Sequence, residues 1–209
     1  MKALVLDDHA VARRGLRTIL EETFELAACE AVSTSAEAIQ AAQSLRPDLV
    51  VLDMHVPGSL PAHELCRQLR ALLPDARIVI VTAFDRTGEI RDCLAAGADG
   101  CLLKDTAEVD LAAALKGIWD GEGVLDPRIA QRLANELVGR RRSSPDSSLT
   151  GRERDVLQLI AEGCSNRAIA DRLRLSEATV KGYVSSLLAK LNASSRLEAL
   201  VRASDAGLL

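Results

Sequence analysis

Aromatic residues are almost missing from this chain: Phe24, Phe84, Trp119 and Tyr183 are all it has among 209 residues. That excludes a protein working by stacking bases on successive rings, as most single-strand nucleic-acid platforms do. Long apolar runs are missing too. No uninterrupted stretch approaches the roughly 18–20 residues of a membrane helix, and the runs present are strand-sized. The five cysteines, Cys29, Cys66, Cys93, Cys101 and Cys164, are odd in number and widely spaced, with no pair at the spacing of a metal or redox motif. Neither a disulfide framework nor a zinc site is suggested. The N-terminal segment has one lysine, an apolar stretch no longer than Ala3–Leu6 and then two aspartates, which does not read as a signal peptide. The expectation is a cytoplasmic protein with no membrane partner.

What is present is an ordinary globular balance, 48% apolar and 27% charged, long enough for one or two domains. The net charge of −4 sums unlike parts. Residues 1–139 carry 14 basic against 22 acidic side chains, whereas residues 149–209 carry 9 against 7. That asymmetry hints at a nucleic-acid partner for the C-terminal part.

From Lys2 to Gly117 short apolar runs alternate with helix-period segments. The runs Ala3–Leu6, Leu26–Val32, Leu49–Leu52, Ile78–Val81 and Cys101–Leu103 are nearly all apolar, as expected of strands covered by helices on both faces. Helices are predicted over 10–21, 35–45, 62–72, 87–96 and 106–119, with Gly97 and Gly121 as stops. The fold class is α/β, a doubly wound, flavodoxin-like parallel sheet of five strands. Asp126-Pro127 then opens a linker helix over 128–138, and the polar stretch 140–148 reads as a tether. From Leu149 every signal is helical. Thr150 and Glu153 form a capping box, Ser165 caps 166–173, Ser176 caps 177–191, and a last helix runs over 195–206. These four helices make an all-α helix-turn-helix unit. The expected divisions are 1–122, a linker over 123–148, and 149–209.

In sheets of this type ligands bind beyond the carboxyl ends of the strands. Asp7-Asp8, Asp53, Thr82 and Lys104 all sit at such ends. Three crowded carboxylates repel unless a hard cation lies among them, and oxygen ligands point to Mg²⁺. A strand-end aspartate can also attack phosphorus and form an acyl phosphate, for which Asp53 is the best placed. Lys104 and the metal would neutralise phosphoryl charge, and the Thr82 hydroxyl would hydrogen-bond a phosphoryl oxygen. The three histidines, His9, His55 and His63, share no helical ligand spacing and read as solvated loop residues.

Lys2–Asp8, the stretch Pro47-Asp48-Leu49-Val50-Val51-Leu52-Asp53-Met54 with Pro57 beyond it, Val81-Thr82-Ala83 and Leu102-Leu103-Lys104-Asp105 resemble the receiver of bacterial two-component response regulators. The resemblance implies that Asp53 accepts phosphate from a sensor histidine kinase. It implies that Asp8 and Asp53 hold Mg²⁺ directly, Asp7 through water, and His55 through its backbone carbonyl. It places Thr82, Ala83 and Lys104 against the phosphoryl group. Two positions depart from the pattern, and two more bear on how long the phosphate would last. Cys101 stands where the family has its aromatic switch, Pro61 stands where a glycine is usual, and bulky His55 and Phe84 flank the site, so slow loss of phosphate is expected.

On the longer C-terminal helix Val180, Val184, Leu187, Leu188 and Leu191 form an apolar stripe. The opposite side carries Lys181, Gly182, Ser185, Ser186 and Ala189, a narrow face that fits a major groove. Leu149–Leu157, Ile160–Asn166, Ile169-Ala170, Thr179-Val180-Lys181 and Lys190-Leu191 resemble the LuxR-type helix-turn-helix. Together with the receiver, this is similar to the NarL/FixJ family. The resemblance implies that Lys181, Gly182 and Ser185 face bases while Asn166, Arg167, Thr179 and Lys190 lie near phosphates of double-stranded DNA. It also implies a homodimer in the active state. Gly182 and Tyr183 replace the residues usual there, which leaves direct readout thin and puts weight on DNA shape. Two rivals stay open: a phosphatase with a strand-end aspartate, which needs a second aspartate where this chain has His55, and a regulator whose output is protein–protein contact or whose switching needs no phosphate.

Overall fold

The structure, a computed structural model, describes residues 1–83, 87–138 and 149–209, with backbone alone over 134–138. Strands β1 (Lys2–Leu6), β2 (Ala28–Val32), β3 (Leu49–Asp53), β4 (Arg77–Thr82) and β5 (Gly100–Leu103) alternate with helices α1 (Ala10–Thr23), α2 (Ser35–Leu45), α3 (Ala62–Leu72), α4 (Thr87–Ala95) and α5 (Glu108–Trp119). Pairing is parallel throughout in the order β2-β1-β3-β4-β5-β6. The sheet thus has six strands among the described residues, not the five expected. The extra one, β6 (Val124–Leu125), is only two residues long and has no sequence signature of its own. It lies against Gly100 and Cys101. A Cβ at Gly100 would stand 2.5 Å from the Ile118 side chain and 2.9 Å from the Val124 carbonyl oxygen, so the close approach of β6 requires a glycine there.

Alternation along the strands sorts the core into two layers. Leu4, Leu6, Val50, Leu52, Ile78, Ile80 and Leu103 face α2, α3 and α4. Ala3, Val5, Leu49, Val51, Val79, Val81 and Leu102 face α1 and α5. Because both layers are dry, the polar residues at the strand ends stand out as the exception.

Helix α6 (Pro127–Val138) follows β6, and the stretch read as a tether, 140–148, lies outside the described residues. The C-terminal helices are α7 (Gly151–Ala161), α8 (Asn166–Leu173), α9 (Glu177–Lys190) and α10 (Arg196–Asp205); the expected caps Thr150, Ser165 and Ser176 accept from backbone amides three residues on, and Ser195, expected inside the last helix, caps it in the same way. Their core holds Val156, Leu157, Ile160, Ile169, Val180 and Leu187.

Helix α10 also reaches the other half of the molecule. Leu197 and Val201 join the layer beneath α4, together with Ile129 of α6. Ser195 Oγ donates to the Ala98 carbonyl at 3.0 Å, and Arg91 pairs with Asp205. Two glycines permit this contact: added Cβ atoms would come within 2.9 Å of Ser194 Oγ at Gly97 and within 3.0 Å of Leu197 at Gly123.

Candidate functional site

Strands β1, β3, β4 and β5 end side by side, and their ends deliver Asp7, Asp53, Thr82 and, one residue on, Lys104 to one place. Asp7 is fully buried and Asp53 nearly so. Lys104 Nζ bridges them, 2.6 Å from Asp7 Oδ2 and 2.8 Å from Asp53 Oδ2. Burial works against the lysine charge, but its bonds to Asp53 and Asp7 outweigh that and raise its pKa above the ordinary value. The Lys104 amide donates to the Thr82 carbonyl at 2.8 Å, which ties the loop after β5 to the end of β4. Ala83 follows on the exposed side, and Phe84 lies outside the described residues.

Ligand atoms of Asp7, Asp8, Asp53 and His9 all lie within 4.8 Å of one another. Among the described residues three carboxylates face the Lys104 ammonium and, on the backbone side, the Arg13 guanidinium, which still leaves surplus negative charge in a partly buried pocket. The residues present therefore fit a hard divalent cation. His9 is a solvated loop residue, as expected, and its Nδ1 also stands 2.8 Å from Asp8 Oδ1 at the edge of this group. Arg13 was missed in the sequence; from the first turns of α1 it donates to the Asp7 carbonyl at 2.6 Å and so holds the loop that carries Asp8. His55 donates its amide to Asp53 Oδ1 at 3.3 Å, while its ring meets Glu89 of α4 at 3.0 Å. Pro61 is the residue before α3, and the left-handed turn of that loop falls to Gly58 at φ 71°.

Cys101 is fully buried, paired with Leu125 of β6, and its carbonyl accepts from the Asp126 amide at 2.9 Å. Burial pushes its thiol well above the ordinary range. The position is thus part of the packed seam between β5 and the chain leading into α6. Beside it, Arg128 grips Asp105 with two nitrogens, at 2.8 and 2.7 Å, and Asp126 at 3.0 Å. The residue next to Lys104 is in this way joined directly to the first turn of α6.

In the C-terminal helices Arg167, Thr179, Lys181, Gly182 and Ser185 are exposed. Asn166 is buried and accepts from Arg196 at 2.9 Å. Lys190 meets buried Glu153 at 2.7 Å. Bonds from Lys190, Ser186 and Thr150 hold the Glu153 carboxyl down to about 2. Lys181 and Ser185 line a cleft of about 270 Å³ whose far wall carries Arg77, Asp99, Asp120 and Glu122. Helix α9 thus presents its polar side to the sheet half of the molecule. Among the described residues no helix is long and apolar enough to cross a membrane.

Residues 3–116 match the response regulator receiver domain, and residues 147–203 match the luxR family of bacterial regulatory proteins. The chain belongs to the response regulators that carry a receiver followed by a luxR-type domain. It is 40% identical to the DNA-binding transcriptional activator DevR/DosR of Mycobacterium tuberculosis, over 98% of this chain and 94% of that protein. It is 41% identical to the nitrate/nitrite response regulator protein homolog of Haemophilus influenzae, over 96% and 95%. Among solved structures, a LuxR-family two-component response regulator from Aurantimonas sp. SI85-9A1 is similar with a TM-score of 0.60 at 31% identity, covering 66% of this chain and 97% of that one.

Proposed function

We propose that Asp53 takes a phosphoryl group from the phosphohistidine of a sensor kinase and that this event controls access of double-stranded DNA to α9. An Asp53 carboxylate oxygen attacks phosphorus, the P–N bond to the kinase imidazole breaks, and its electron pair leaves with the imidazole. The observation that carries this reading is the Lys104 bridge between Asp7 and Asp53. It puts a fixed cation where the incoming phosphoryl oxygens need one, and Thr82 adds a hydroxyl at the neighbouring strand end. Asp7, Asp8, Asp53 and the His55 carbonyl would hold Mg²⁺, which supplies neutralisation of phosphoryl charge when bound. The chain then acts as a cytoplasmic regulator rather than as an enzyme with a turned-over substrate.

The receiver occupies 1–122 and the reader 149–209, joined by 123–148. Lys181, Gly182 and Ser185 face bases, with Arg167, Thr179, Asn166 and Lys190 toward the phosphates. A major groove is about 12 Å wide and flanked by two phosphate backbones. The far wall of the cleft in front of Lys181 and Ser185 carries Asp99, Asp120 and Glu122 against the single Arg77, so a duplex approaching α9 in this arrangement meets net charge of the wrong sign. Phosphorylation would favour an arrangement in which α10 has left α4, and the freed reader would bind DNA as a homodimer. The direct test is incubation with a small-molecule phosphodonor and Mg²⁺, followed by separation of the phosphorylated form. The parent should accumulate it and Asp53→Asn should not. Equal accumulation would place the acceptor elsewhere.

A further inference from the structure

Between receiver and reader lies a second, apolar pocket of about 300 Å³, walled by Leu94 of α4, Leu125 of β6, Leu133 of α6, Ile160 of α7, and Leu200 and Val201 of α10. Its volume is in the range of small-molecule sites. Three charged side chains line it, Arg91, Glu122 and Arg196, and the last is the most buried. Arg196 is only 8% exposed, and its guanidinium donates to two neutral oxygens, the Asn166 side chain and the Cys164 carbonyl. No carboxylate among the described residues comes within 4.0 Å of it. Glu122, which also lines the pocket, acts on Arg196 only through its charge from beyond that distance. Burial pushes the Arg196 pKa down to about 10, and the charge of the more distant Glu122 only partly opposes it. A buried cation whose hydrogen-bond acceptors are all neutral, beside an apolar pocket, gains from a carboxylate placed in direct contact with it. An anionic head on an apolar tail supplies both missing halves.

We propose that this pocket binds a medium-chain aliphatic carboxylate, with the head on Arg196 and the tail among Leu94, Leu133, Leu200 and Val201. Its walls come from both halves, so it exists only while α10 is seated on α4. A ligand that binds that arrangement alone stabilises it by mass action and opposes DNA binding, and phosphorylation must weaken the ligand by the same factor. This regulatory consequence rests on the closed reading given above; the binding site does not.

Octanoate is the probe, titrated calorimetrically into the unphosphorylated full chain, with octanol as the uncharged match. Octanoate should bind about tenfold more tightly than octanol, the margin of a charge-assisted contact. Arg196→Gln should erase that margin. Because Arg196 also supports Asn166, a second variant is needed: Ala130→Phe, on the wall opposite, should fill the pocket and abolish binding of both probes while thermal unfolding stays cooperative. Octanoate binding no better than octanol, or binding that survives Ala130→Phe, overturns the site. Charge-dependent binding that leaves the affinity for a DNA fragment unchanged instead overturns the closed-state reading and the regulation built on it.

Discussion

Ser195 caps α10 of the reader and with the same hydroxyl donates to the Ala98 carbonyl of the receiver at 3.0 Å. One side chain therefore serves both the integrity of a helix and its docking on α4. Around it the seam is close: Gly97 and Gly123 have no space for a side chain, and Leu197 and Val201 complete the receiver's own apolar layer. On the closed reading proposed above, small changes in this seam are expected to release the C-terminal helices.

Gly123→Val is expected to open it. A Cβ there meets Leu197 at 3.0 Å and Arg196 Cδ at 3.2 Å, and overpacking of this kind costs about 1–3 kcal/mol. Since the crowding exists only in the closed form, DNA affinity of the unphosphorylated chain should rise about tenfold or more, read by gel shift. An unchanged affinity would separate the seam from the control of DNA binding.

Arg128 links Lys104's neighbour Asp105 to the start of α6, and its bonds lower the pKa of both Asp105 and Asp126. The bidentate geometry favours it, but both side chains are exposed and solvent screens the pair. Arg128→Ala should leave phosphoryl uptake as in the parent while shrinking the phosphate-dependent gain in DNA affinity several-fold. Uptake and gain falling together would instead indicate damage to the phosphoryl site itself.

Much of this was legible beforehand. All-apolar runs announced the central strands because a doubly covered parallel sheet admits little else, and Thr150, Ser165 and Ser176 announced three helices because orphan amides need acceptors. The convergence of Asp7, Asp53, Thr82 and Lys104 followed from their places at strand ends. The seam was not legible. Arg91, Asp205 and Gly123 are ordinary surface and turn residues in sequence, and only the packing of α10 gives them a common role. Likewise Lys190 reads as a free basic residue until the fold brings it to Glu153, and β6 is too short to carry a period.

Glu153 offers a pH test. Its carboxyl lies near 2 in the folded reader against an ordinary 4.5, so below 4.5 the unfolded chain binds the extra proton. The stability it contributes is fully present above about pH 4.5 and is lost as the pH falls toward 2. Glu153→Gln should flatten that slope in urea unfolding followed between these values. A parent whose stability is level across the window would show that the Lys190, Ser186 and Thr150 bonds do not favour the carboxylate.

Cys101 stands at the position of the family's aromatic switch but is fully buried against β6. Cys101→Phe should therefore destabilise the receiver by about 1–3 kcal/mol rather than restore a mobile ring. The midpoint of denaturant unfolding reads the difference; a neutral or stabilising outcome would mean that the seam beside β5 can open.

The central claim is that phosphate on Asp53 exposes α9 to DNA. Affinity for a genomic fragment, measured with and without phosphodonor and Mg²⁺ in the parent and in Asp53→Asn, tests it most directly. The account predicts tighter binding by the phosphorylated parent and no response from the variant. Equal affinity of the phosphorylated and unphosphorylated parent, or an equal gain in Asp53→Asn, would contradict it.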